Sequence, residues 1–361
     1  TVGNRIKVTS RSASTIKKGY HATALDLDAD GRLVVQLEDE DGNAISTKRL
    51  SSAMVSIRPD TKSNDIEGEE EGKNIASSRL KSVLVYNGPG AGLVCVAMTM
   101  RSLRDVCDPH RYKVKTIGPE QVRSGLWRQG CAAIVFPGGA DRLYMKELHG
   151  EGNRHIREFV MCDAGCYLGF CAGAYYGSAK VLFDIGGPLE VHEDRELCFF
   201  PGHAIGPVFP GFDYASEKGA RAAWLDTEVD TPAFAVYFNG GCFFEDGSGG
   251  GEGSTVSDSG ARIVARYAAQ SGADGKSVSE LAAVVHRKIG RGTAVLSGVH
   301  PEFIPSHMFA VIEEQDTTEG AAAKRNVRLS ADRERMLQML TECDAARVGL
   351  LQTLVQRLLG L

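Results

Sequence analysis

From residue 82 the apolar positions fall into dense short runs that each close on glycine. SVLVYNGPGAG (82–92) and CAAIVFPGG (131–139) are the first two, and residues 91–107 between them space their apolar side chains as a helix does. Buried strands separated by helical stretches predict a parallel sheet covered on both faces, an α/β architecture. PAFAVYFNGGCFF (232–244), ARIVARYA (261–268) and SVSELAAVVHRKIGRGTAVLSGVHPEF (277–303) predict further strands, the last ending at Gly298. The Gly/Ser-rich EDGSGGGEGSTVSDSGAR (245–262) reads as a hairpin loop.

The pattern differs at both ends of the chain. Residues 21–59 alternate apolar and polar positions in short runs broken at Asp30-Gly31 and Asp41-Gly42-Asn43, which predicts a small all-β domain over 1–59. Residues 60–80 combine an acidic run with Ser, Asn and Gly and read as a linker, leaving 81–361 as the second domain. Near the C-terminus, Ser330 reads as an N-cap with Asp332 and Glu334 in the first turn. Met336, Leu337, Leu340, Val348, Leu351, Leu354, Val355 and Leu358 form the apolar face of one or two amphipathic helices. That face predicts packing against its own domain, with partner binding the alternative.

Composition narrows the classes. With 361 residues and 43% hydrophobic content the chain has enough apolar surface for a sizeable core. A net charge of -5 gives no basic footprint for nucleic acid, and no apolar run is long enough to span a bilayer, so a cytoplasmic setting is expected. Nine cysteines, an odd number without framework spacing, predict reduced thiols, and Cys162, Cys166 and Cys171 have no second Cys/His pair to complete a metal site. His192 and His203 read as loop residues. No metal is expected.

Cys171 stands between Gly169 and Gly173 after an apolar segment. Glycines on both sides let a strand turn sharply into a helix and hold the thiol up at the turn, where the helix field favours thiolate. A buried structural cysteine fits the same pattern. A nucleophile also needs a base, a group that orients the base, and donors for an oxyanion. His300 and Glu302 follow a strand, and so do Gly138 and Gly139; the N–H of Ala172, next to the nucleophile, is a further candidate donor.

The order PGG, then G-x-C-x-G, then H-P-E resembles the class I glutamine amidotransferases. The resemblance implies a flavodoxin-like sheet, with Cys171 as nucleophile, His300 as base, Glu302 as its orienting carboxylate and the Gly138-Gly139 turn in the oxyanion hole. A closer resemblance spans residues 81–361. GFCAGAYYGSA, RELCFFPGHAIGPVFPGFDYASEKGARAAWL, VYFNGGCFF and LLQTLVQRLLGL are similar to the amidotransferase-like domain of fungal-type biotin-protein ligases. GNRIKV, KGYHATALDLDADGRLVVQL and LSSAMVSIRP resemble the small β-barrel that follows the catalytic core in such ligases.

The resemblance implies an accessory, regulatory part of a biotin-protein ligase. Its catalytic core is expected upstream of Thr1, since nothing here matches a biotinyl-adenylate loop. Biotin and ATP belong to that core; the chain itself is expected to carry no cofactor. Partners implied are the core in cis, biotin-accepting carboxylase domains and a small-molecule ligand. Glutaminases of the family carry Gln four residues after the nucleophile, where this chain has Tyr175 and then Tyr176. A phenol lacks the paired donor and acceptor of an amide, so glutamine is not the expected substrate. Tyr175, Tyr176, Asn239, Gly240, Arg195, Glu196 and FFPGHAIGPVFPGF are pocket candidates, with core packing and a plain strand-end turn as the other readings. A cysteine amidase or esterase remains the alternative function.

Overall fold

The computed structural model describes residues 80–214, 216–227, 232–246, 256–270, 272, 277–308 and 331–360, together with the strands of the first domain. The chain divides into two units, Thr1–Ser77 with Phe309–Leu329, and Ser78–Met308 with Ser330–Leu361. In the first unit β1 (Arg5–Ile6), β2 (His21–Leu27), β3 (Leu33–Glu38) and β4 (Ala44–Leu50) pair in that order, each antiparallel to the next. The expected Asp-Gly turns lie outside the described residues. β1 and β4 are the two ends of the observed sheet order, and closure into a barrel is not seen among the described residues. The acidic linker, the Ser330 cap and most of the Gly/Ser-rich loop lie outside the described residues.

The second unit begins with β5 (Lys81–Tyr86), α1 (Leu93–Val106), β6 (Tyr112–Ile117), α2 (Pro119–Ser124) and β7 (Cys131–Phe136). α3 (Asp141–Leu148), α4 (Glu151–Met161), β8 (Cys166–Phe170) and the short α5 (Ala172–Gly177) come after it. Next are β9 (Ser178–Phe183), β10 (Val191–Asp194), β11 (Phe200–Gly206), β12 (Arg221–Thr227), β13 (Phe234–Phe238) and β14 (Phe243–Glu245). β15 (Ala261–Tyr267), β16 (Ala282–Ile289), β17 (Gly292–Ser297), α6 (Ala331–Glu342) and α7 (Asp344–Leu359) complete the unit.

Strands β6-β5-β7-β8-β17 are parallel throughout. Alternate residues of these strands enter two separate cores, as the pleat requires. Val83, Val85, Val135, Leu168 and Val295 meet Val96, Met100 and Leu103 of α1 and Leu351, Leu354 and Leu358 of α7. Leu84, Tyr86, Phe136, Tyr167 and Leu296 meet Tyr144 of α3 and Ile156 and Phe159 of α4. Helices therefore cover both faces of this part, and burial on both sides explains the uninterrupted apolar runs.

The expectation of a parallel sheet is corrected beyond β17. The sheet has 13 strands, and those on the far side of β17 are mostly antiparallel. Connection length is the cause. Residues 277–303 read as one continuous run, yet Gly290 (φ 57°) and Arg291 form a two-residue turn between β16 and β17. So short a link joins only antiparallel neighbours, whereas a parallel pair needs a crossover of a dozen residues or more.

Candidate active site

Cys171 sits at the carboxyl end of β8 and is the residue from which α5 starts, with φ 47° and ψ -103°. A side chain in the positive-φ region is strained by about 1–3 kcal/mol and persists only where its surroundings over-determine it. Here they do: the Cys171 N–H donates to Ser297 O (2.8 Å), and its carbonyl accepts from the N–H groups of Ala174 and Tyr175. Gly169 and Gly173 are needed for close approach, since a Cβ on Gly169 would lie 2.3 Å from Gly173 O and one on Gly173 would lie 2.1 Å from Phe136 O. The strand thus turns into the helix at Cys171 with close backbone approach at both glycines. Because α5 has only six residues, its field at the sulfur is weaker than that of the neighbouring His300.

His300 stands just beyond β17, the strand hydrogen-bonded to β8. Ser297 pairs with Phe170, so the chain leaves both strands at one level. The His300 N–H donates to Tyr237 O (2.9 Å), and Nδ1 lies 2.7 Å from Glu302 Oε1. The Cys171 side chain acts on the His300 ring electrostatically, and its thiol donates to Asn239 O (3.6 Å). His300 is 3% exposed and Glu302 is fully buried. Burial alone would lower the imidazole pKa, but the Glu302 charge, the Cys171 side chain and the hydrogen bond to Glu302 outweigh it and raise the value to about 10. That shift favours the protonated ring beside Glu302 at neutral pH.

Gly138 lies against this ring. A Cβ there would be 2.6 Å from His300 Cε1 and 3.0 Å from Cys95 Sγ, so only glycine leaves the imidazole its place. Gly139, at φ 148°, is bridged to Ala91 and held against Gly90 O. The PGG carbonyls are engaged, Pro137 O by Gly173 N and the Tyr144 hydroxyl, and Gly138 O by Gly92 N. The N–H groups of Gly138, Gly139 and Ala172 have no acceptor among the described residues. That is the condition for oxyanion donors.

The pocket candidates separate. The Tyr175 hydroxyl donates to Gly240 O (3.1 Å), and a Cβ on Gly206 would lie 1.9 Å from that hydroxyl oxygen, so the ring is fixed beside the Asn239-Gly240 turn. Phe212 packs over Gly240, touching Phe183 on one side and the exposed Tyr214 on the other. Tyr176 instead belongs to the core, packed on Phe136 and Tyr144 and hydrogen-bonded to Asn153. The buried Arg195 guanidinium pairs with Asp141 (2.6 Å) and Glu193 (3.1 Å). Glu196 binds Asn153 and lines a separate cleft of about 270 Å³ with Arg154, Arg157, Met161 and Cys162. Cys166 points away from the site and donates to Leu358 O, and Cys162 is exposed at the end of α4, so the three clustered cysteines do not converge.

Sequence reasoning missed Ser102 and Arg347. Ser102 Oγ donates to Glu302 O (2.7 Å), and Arg347 Nη1 donates to Pro301 O (2.6 Å). Neither leaves a trace in a hydrophobic pattern. The apolar stripe puts Val348 inward, but the buried side chain is its neighbour Arg347.

A family model described as Biotin-protein ligase, N terminal, matches residues 81–358, and the chain belongs to that family. It is 38% identical over 226 residues to a biotin-protein ligase of Schizosaccharomyces pombe, covering 62% of this chain and 33% of that protein. The chain thus spans about one third of the length of that relative. An uncharacterized protein of Chlamydia muridarum is 36% identical over 241 residues, covering 66% of this chain and 85% of that one. A glutamine amidotransferase crystal structure aligns with TM-score 0.39 and 19% identity, covering 64% of this chain and 97% of that chain. Among the described residues no helix is long and apolar enough to cross a membrane.

Proposed function

We propose that the chain is the accessory, regulatory part of a biotin-protein ligase. Its amidotransferase-like unit senses a small carbonyl ligand at Cys171, and a separate ligase core carries out ATP-dependent biotinylation of carboxylase carrier domains. The observation that carries this reading is the His300-Glu302 couple near the strained Cys171, with Tyr175 at the position where the resembled glutaminases carry glutamine. Cys171 is only 7% exposed, which fits a site that admits a ligand sparingly. Family membership supplies the context.

The strained Cys171 backbone favours a second reading, a cysteine amidase or esterase. In that reaction the Cys171 sulfur attacks the carbonyl carbon while His300 gives its proton to the departing amine or alcohol. Water then cleaves the thioester, releasing the acid and returning the proton to the Cys171-His300 pair. Cys171→Ala in the full-length protein separates the two. Sensing predicts that biotin transfer to a carrier domain changes at least about threefold, with no acyl adduct on the parent. Hydrolysis predicts an acid-stable acyl adduct in the parent by intact mass, absent in the variant. Unchanged transfer together with no adduct would sink both.

A further inference from the structure

His300, Pro301 and Glu302 are consecutive, and a different element holds the backbone at each. β13 accepts the His300 N–H through Tyr237 O, α7 reaches Pro301 O through Arg347, and α1 reaches Glu302 O through Ser102. Because a peptide unit is planar, fixing Pro301 O fixes the plane entering Glu302, and fixing Glu302 O fixes the plane leaving it. The carboxylate that orients the imidazole is thus aimed from both sides.

We infer that Arg347 is a positioning residue for the His300-Glu302 couple, which makes the C-terminal helix part of the site's support. Arg347 is 4% exposed, and Nε is turned onto Asp344 Oδ1 (2.7 Å) in the first turn of α7, which leaves Nη1 directed at Pro301 O. A charged donor to a buried carbonyl is among the stronger hydrogen bonds, and its loss leaves the acceptor unsatisfied. The helix carrying Arg347 is anchored by Leu350, Leu351, Leu354, Val355 and Leu358 in the core beneath β7, β8 and β17. A shift of α7 therefore moves the base relative to the nucleophile. This inference rests on reading His300 and Glu302 as the base and its orienter.

The test uses the whole chain with two readouts, the His300 imidazole titration by histidine-selective NMR and the rate of Cys171 alkylation by iodoacetamide, mapped by peptide mass. Arg347→Met should lower the pH at which His300 titrates from near 10 toward the ordinary histidine range, and slow alkylation at pH 7 by roughly 10- to 100-fold. Arg347→Lys, which keeps a donor, should restore part of both. Should the Met variant fail to fold, Arg347→Lys and Ser102→Ala are read instead, each expected to shift both readouts in the same direction by a smaller amount. Folded variants with unchanged titration and alkylation would overturn the inference. Wild-type Cys171 that never reacts would instead overturn the reading of the couple itself.

Discussion

Gly173→Ala should destabilise the second unit by more than about 3 kcal/mol, a fall in melting temperature of roughly 6–12 °C for a domain of this size. Its Cβ would meet Phe136 O at 2.1 Å and Phe136 C at 2.8 Å, both backbone atoms of the neighbouring strand β7. Backbone in a paired strand cannot step aside as a side chain does. Gly177→Ala is the internal control: its Cβ would meet the end of the Leu296 side chain at 2.7 Å, which can change rotamer, so a cost below about 1.5 kcal/mol is expected. Calorimetry on the pair decides the matter. A Gly173 variant melting within 2 °C of wild type, a shift worth roughly 1 kcal/mol or less, would mean that the strand-to-helix turn has slack.

Glu302→Gln should reverse the way pH acts on the site. In the native protein His300 is raised above the unfolded value of about 6.5, so its contribution to stability is fully present below that pH and is lost as pH rises toward about 10. Glutamine keeps an acceptor for Nδ1 but removes the charge. Burial then dominates and pushes the imidazole below 6.5, and a buried neutral histidine costs stability as pH falls through that value. His300 should thus be neutral at pH 7.5 in the variant, and denaturant stability should fall below pH 6.5 more steeply than in wild type. With no cation beside it, Cys171 should be alkylated roughly 100-fold more slowly at pH 7. A His300 resonance that remains protonated at pH 7.5 would show that something other than Glu302 holds the charge.

The parallel half of the sheet was legible for one physical reason, which also singled out the candidate site residues. A strand buried on both faces is a plain apolar run, and the chain leaves it at an end of the sheet, where a Gly-bracketed cysteine or a His-x-Glu stands out. Helix α1 was equally plain from its spacing. Less plain is the direction in which β16 and β17 pair, since an apolar run is the same beside a parallel and an antiparallel neighbour. Tyr175 and Tyr176 look alike in sequence, yet successive residues on a helix point about 100° apart. Both are buried, but Tyr175 reaches the Gly240 carbonyl and Tyr176 packs on Tyr144. Arg347 was hidden for the opposite reason: a buried cation is defined by the carbonyl it meets, and that carbonyl is 46 positions away.

Cys171 and His300 are far apart in the chain but are brought level by one pairing, Ser297 with Phe170, and by the hydrogen bond from Cys171 N to Ser297 O. Everything from β9 to β16 is an excursion that leaves β8 and returns beside it. The length of that excursion can change without disturbing the two residues, provided that the two strands stay in step and β13 still brings Tyr237 O to His300 and Asn239 O to Cys171. A slip of one residue would turn His300 and its neighbours to the opposite face. New walls can thus be built around an unchanged thiol, which makes the excursion the segment where a lineage would exchange one ligand for another.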